Sequence, residues 1–108
     1  MKKVFVLLLA TLFITVSLSG FAKENEAKNT GEALFKANCS PCHPDGGNII
    51  NPAFTLKKKD REAHGVKTAK DIIGKMRNPG PGMTKFDTTT VPDKDAGAIA
   101  EYIMKTFN

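Results

Sequence analysis

Cys39-Ser40-Pro41-Cys42-His43 is the stretch of this chain whose residue types and spacing point to a definite chemistry. Two thiols three positions apart, followed at once by an imidazole, form the attachment signature of a c-type haem. On one helical turn Cys39 and Cys42 face the same side, so each can add across a vinyl group of one porphyrin. His43 is then left pointing at the iron as its proximal ligand.

Other chemistries use the same residue types and fit less well. A redox dithiol normally opens a helix after a strand, and nothing upstream reads as a strand apart from an apolar N-terminal run. Zinc needs a second pair of ligands, and only His64 remains. A disulfide between Cys39 and Cys42 would close a loop too small to stabilise much. With two cysteines in the whole chain, the expected cofactor is one haem c, bound covalently through Cys39 and Cys42.

Iron held by one imidazole needs a second axial partner, and that choice separates electron shuttling from small-molecule chemistry. The candidates are Met76, Met83, Met104 and His64. Met76 and Met104 fall on expected helices, where methionine usually fills gaps in a core. His64 sits on a charged stretch beside Gly65 and reads as a surface residue. Met83 follows Asn78-Pro79-Gly80-Pro81-Gly82, a stiff loop suited to presenting a sulfur, so His43 and Met83 are the expected iron ligands. A soft thioether favours ferrous iron, and a filled coordination sphere leaves no open position for a substrate.

The elements that must position these residues read as all-α. Leu34 and Phe35 give an apolar face to a short helix from Gly31 to Asn38, running into the haem motif. Pro44 stops it from continuing far, and Pro44 to Asn48 is a turn cluster whose carbonyls are natural acceptors for the second nitrogen of His43. Ala53 to Gly65 reads as one or two short helices ending at the glycine. Thr68 is a candidate N-cap for a helix through Arg77, with Ile72, Ile73 and Met76 inward and Pro79 beyond its end. The last helix starts near Pro92, placed in its first turn, with Asp93 and Asp95 at the positive end of the dipole. Ala96, Ile99, Ala100, Ile103 and Phe107 form its buried stripe.

Upstream, Lys2 and Lys3 precede an apolar run from Val4 to Ile14 and then small residues through Ala22. These are the parts of a secretory signal, so residues 1–22 are expected to be a signal peptide. Residues 23–30 read as a flexible tail, and residues 31–108 as the haem domain. An uncleaved membrane anchor is the alternative for the apolar run. Export to an oxidising compartment suits CxxCH chemistry, and a soluble periplasmic protein is expected.

The formal charge of +5 falls to +3 once Lys2 and Lys3 are removed. Two haem propionates would lower it further, so the basic pI implies no nucleic-acid partner. Lys57-Lys58-Lys59 reads as a solvated face with docking as an option. The remaining 86 residues, with no Trp and one Tyr, make a thin core, and the apoprotein is expected to be largely unfolded.

Over Gly31 to Phe107 the chain resembles the small class I monohaem cytochromes c, and within them the c-six type. Gly31 and Phe35 match a Gly and an aromatic that meet the last helix. Gly46-Gly47-Asn48, Pro52, Thr55-Leu56-Lys57-Lys58, Glu62-Ala63 and Gly65 match further motifs. Asn78, Met83 and Phe86 match an Asn, the axial Met and a following aromatic, and Glu101-Tyr102 matches the terminal helix. The resemblance implies a class I cytochrome c fold of about four helices around one covalent haem. It also implies that Asn48 hydrogen-bonds on the haem side. Three positions depart. Phe54 replaces a Lys near a propionate, Lys75 replaces a Gln near the haem, and Thr84 replaces the Pro after the Met. The Pro79 to Gly82 loop looks more like non-photosynthetic bacterial relatives.

The function these readings support is one-electron carriage between transient redox-partner proteins, by a monomer and not by an enzyme. A peroxidase-like haem enzyme or ligand sensor with a labile Met83 is one alternative, although no second distal acid or base is evident. An electron-entry subunit of a larger respiratory complex is the other.

Overall fold

Thr30 opens the first helix from an extended conformation. Its hydroxyl accepts from the Ala33 amide at 3.2 Å, capping α1 (Gly31–Asn38). Glu32 in the first turn faces the positive end of the dipole and pairs with Lys36 one turn on, at 2.6 Å. The computed structural model describes residues 30–108. The expected signal peptide, and the tail apart from Thr30, lie outside the described residues. Thr30 itself belongs to the helix as its cap.

Three more α-helices follow: α2 (Lys58–Ala63), α3 (Ala69–Arg77) and α4 (Asp93–Thr106). Among the described residues there is no β-strand, as the all-α reading expected. Helix α3 begins with a capping box. Thr68 accepts from the Asp71 amide, and the Asp71 carboxylate accepts from the Thr68 amide. Backbone N–H donation from Lys67 and then Thr68 holds the Asp71 carboxyl below the usual carboxylate range.

Two expected boundaries move. Between Ala53 and Gly65 only Lys58–Ala63 is helical. The stretch before it is a chain of turns held by Asn48, which donates to the Phe54 carbonyl, and by Asn51 and Thr55, which accept from the Ala53 and Lys57 amides; these side chains compete with helix for the backbone groups. Pro92 is the N-cap of α4, not a first-turn residue, with φ −53° and ψ 156°. At the other end Phe107 leaves the helix as its C-cap.

Helix α1 crosses α4 at Gly31, where a Cβ would lie 2.2 Å from the Ala98 carbonyl oxygen. Only hydrogen fits there. Beside the crossing, the Phe35 ring packs on Tyr102 and Phe107, with centroids 5.3 and 5.4 Å away. Ile72 and Met76 bring α3 onto the same core, with Val91, Ala96, Ile99, Ala100 and Ile103. Ile73, expected inward with them, is half-buried at the edge of that core. This fully buried set is small, and two of its members are alanines. A full-sized side chain contributes about 1.5–3 kcal/mol when buried, so the protein core alone is thin.

Candidate haem site

The backbone amides of Cys42 and His43 both donate to the Cys39 carbonyl, at 3.1 and 2.8 Å. That single turn at the end of α1 sets Cys39, Cys42 and His43 along one wall of a cavity of about 810 Å³. The thiols are free. Burial pushes the Cys39 thiol up to about 11, which keeps it protonated near neutral pH. A dithiol redox centre or a thiolate metal site wants the opposite shift.

His43 is oriented from behind. Its Nδ1 lies 2.7 Å from the Gly47 carbonyl oxygen. A carbonyl can only accept, so Nδ1 carries the proton and Nε2 keeps its lone pair for a metal. The loop that supplies the acceptor turns through Asp45 and Gly46, both at positive φ (52° and 78°). Gly46 has a second reason to be glycine, since its Cβ would sit 2.5 Å from the Phe107 ring.

Met83 reaches the same cavity from a separate segment. That segment is anchored at both ends. Upstream, the Asn78 amide closes α3 on the Gly74 carbonyl at 2.8 Å; downstream, the Phe86 amide donates to the Met76 carbonyl at 2.9 Å. Arg77 ties the far side down, with Nη1 donating to the Phe86 and Val91 carbonyls and Nη2 pairing with Asp93 at 2.8 Å. Asp87 caps the following turn through the Thr90 amide and hydroxyl and the Thr89 amide, which keeps its carboxyl below the usual range. Gly82 at φ 87° makes the bend just before Met83.

The other candidate ligands occupy different places. Met76 is 4% exposed, sits in the core and also borders the cavity. The Met104 sulfur accepts a hydrogen bond from Arg61 Nη1 at 3.0 Å. His64 is exposed, as its sequence context suggested, yet its ring stacks on Phe54 at the cavity rim, 3.9 Å between centroids. Asn48 borders the cavity too. Its Oδ1 accepts from the Ile50 and Asn51 amides and its Nδ2 donates to the Phe54 carbonyl, each at 2.9 Å. This side chain closes the 48–54 loop and leaves one N–H for any other contact.

Sequence reasoning missed Arg61. It lies in a run of charges that reads as a solvated face, but it is 4% exposed and borders the cavity. The clue available was position: α2 is too short to show a period, and its inward residue happens to be an arginine.

The cavity is walled largely by apolar side chains, among them Leu56, Ile72, Phe86 and Ile103, and carries two thiols, an imidazole and a thioether. A flat, apolar, iron-bearing group fits that donor set. Among the described residues no three His, Cys, Asp or Glu side chains cluster to hold a bare metal ion.

Comparison with known proteins points the same way. A family model described as cytochrome c oxidase, cbb3-type, subunit III matches residues 26–103. The chain is 46% identical over 76 residues to cytochrome c6 of Aphanizomenon flos-aquae, covering 70% of this chain and 86% of that one. It is 34% identical over 105 residues to cytochrome c6 of Nostoc sp. PCC 7120, covering 96% and 93%. Among solved structures, the outer-membrane cytochrome F (OmcF) of Geobacter sulfurreducens superposes with a TM-score of 0.71 at 44% identity, over 72% of this chain and 99% of that one. A cavity with paired thiols at one wall, the Gly31 crossing and these matches lead to one conclusion: the chain belongs to the class I, c6-like cytochromes c, monohaem electron carriers rather than enzymes, which bind one haem c covalently through CxxCH.

Proposed function

We propose that this cytochrome is an exported, soluble, monomeric carrier whose haem iron is held between His43 and Met83. The haem supplies a one-electron couple at the iron. The chain's own residues attach it (Cys39, Cys42), orient the imidazole (Gly47 carbonyl) and present the sulfur from an anchored loop (Met83). The observation that carries this reading is the placement of His43, its tautomer set by Gly47, and Met83 on separate segments of one cavity. Asn48 is proposed to act at one remove, by shaping the loop beside the haem.

The test is an optical and redox titration of the purified holoprotein, following the weak far-red band of a sulfur-to-ferric-iron bond. Met83→Ala is expected to abolish it. Survival of the band in Met83→Ala, with loss on changing Met76, Met104 or His64, overturns the ligand assignment.

In this reading residues 1–22 are a cleaved signal, 23–30 a tail and 31–108 the functional domain in the periplasm. Among the described residues no helix is long and apolar enough to cross a membrane. Lys57, Lys58 and Lys59 are exposed and form the proposed docking face for acidic redox partners, which meet through small, weak interfaces. Replacing all three with alanine is expected to slow reduction by a physiological partner at low salt. Purification within a larger complex would instead favour an electron-entry subunit.

A further inference from the structure

Arg61 is a cation buried inside the protein with no anion beside it. Its guanidinium donates from Nε to the Leu56 carbonyl at 2.7 Å and from Nη1 to the Met104 sulfur at 3.0 Å. Both acceptors are neutral. The ion pairs among the described residues are Glu32–Lys36 and Arg77–Asp93, and neither involves Arg61. The neighbouring Asp60 carboxylate accepts from the Thr55 hydroxyl instead. A buried charge left unpaired costs several kcal/mol, so buried arginines normally meet a carboxylate or phosphate. Nη2 has no partner among the described residues. Since no sealed side-chain nitrogen or oxygen there lacks a partner, Nη2 keeps access to open space, and the open space that Arg61 borders is the haem cavity.

We infer that the Arg61 guanidinium is the buried counter-ion of a haem propionate, held ready by Leu56 and Met104. This rests on the haem c assignment. It gives the cavity an anionic end that the sequence does not show. Arg61 is a positioning and charge-balancing residue, not an iron ligand. A fixed cation there disfavours ferric iron, which carries one more positive charge than ferrous. In that way it offsets the propionate charge that would favour the ferric state, and so raises the reduction potential.

The remaining charged or titratable groups around the cavity are Asp60 and His64 on α2 and at its C-cap, and Lys75 on α3. Helix α4 contributes no charged side chain to the lining. The His64 ring stacks on Phe54 at the cavity and an imidazole is the side-chain type that can confound a pH profile in this range, so the experiment is done in a His64→Gln background. There the holoprotein is expected to keep a flat midpoint potential between about pH 5 and about pH 9, because the propionate beside Arg61 stays ionised in both redox states.

Adding Arg61→Gln is expected to shift the reduced-to-oxidised ratio at fixed potential at least tenfold toward oxidised, about 59 mV for one electron. The potential is also expected to become pH-dependent, falling as pH rises, since the freed propionate binds its proton more tightly when the iron is reduced. Arg61→Lys, which keeps the charge, is expected to recover most of the ratio. A merely structural Arg61 would lower melting temperature without creating the pH slope. An unchanged potential and flat profile in Arg61→Gln, or Arg61→Lys behaving like Arg61→Gln, overturns the inference.

Should Arg61→Gln fail to take up haem, the single variant His64→Gln decides. A sloping profile in it already contradicts a propionate clamped by Arg61, and a flat one supports it. A protein that never acquires covalent haem sinks the carrier reading instead, and is recognised by its missing colour.

Discussion

The crossing of α1 and α4 and the cavity under the attachment turn are built on opposite terms. At the crossing, Gly31 lies against the Ala98 backbone and Tyr102 with no room for a side chain, and Phe35 and Ile99 are buried in the core beside it. Around the cavity, large apolar groups are left facing open space: Ile50 is 61% exposed, Phe54 48% and Met83 36%. One region is complete as polypeptide. The other becomes a core only when a porphyrin supplies the apolar partner, which is why the thin protein core does not count against a stable holoprotein.

That contrast can be broken most severely by denying the cavity its cofactor. The double variant Cys39→Ala, Cys42→Ala is expected to lose cooperative thermal unfolding and most helical circular dichroism, although α1 and α4 keep every packing residue. If it melts as sharply as the holoprotein, the crossing alone suffices and the contrast fails.

Insults to the crossing in the haem-loaded protein come next. Gly31→Ala drives a methyl into the backbone of α4, where no side chain can yield, and is expected to cost about 3 kcal/mol. Ile99→Ala leaves a hole in the same place and is expected to cost a similar amount, about 3 kcal/mol. Denaturant titration followed at the haem band reads both.

Thr68→Ala removes one half of the α3 capping box and is expected to cost about 1 kcal/mol. Its partner Asp71 gives a pH test. The folded carboxyl is held below its unfolded value, so its contribution is complete above about pH 3.9 and fades as pH falls through the folded value. The melting advantage of wild type over Asp71→Asn is therefore expected at neutral pH and to shrink in acid. The smallest effect belongs to the outer surface: Ile49, 61% exposed and off the cavity lining, should on replacement by alanine change stability by less than about 0.5 kcal/mol.

The attachment motif, four helices, the inward faces of α3 and α4 and the Met83 loop were legible in residue order because each rests on local signals. Those signals are fixed spacing, a capping threonine, helical periodicity and proline punctuation. Three features were not legible, and they share a cause. The carbonyl that orients His43 belongs to Gly47 because Asp45 and Gly46 turn left-handed, and backbone acceptors carry no sequence label. The Phe54–His64 stack joins a turn to a helix end. Arg61 is held inside by the nearby Leu56 carbonyl and by Met104 on α4, 43 positions on, so the residue most misread from its charged neighbours depends on a contact no local pattern shows.

Phe107 touches more of this molecule than its place after the last helix suggests. Its ring lies against Gly46, and its carbonyl accepts from the Lys58 amide at 2.8 Å. A chain synthesised from its N-terminus thus presents Cys39 and Cys42 before Phe107, the residue that latches their loop, has been made. The thiols are expected to stay open to the attachment apparatus during that interval, and protein cut before Phe107 should still turn red while losing thermal stability.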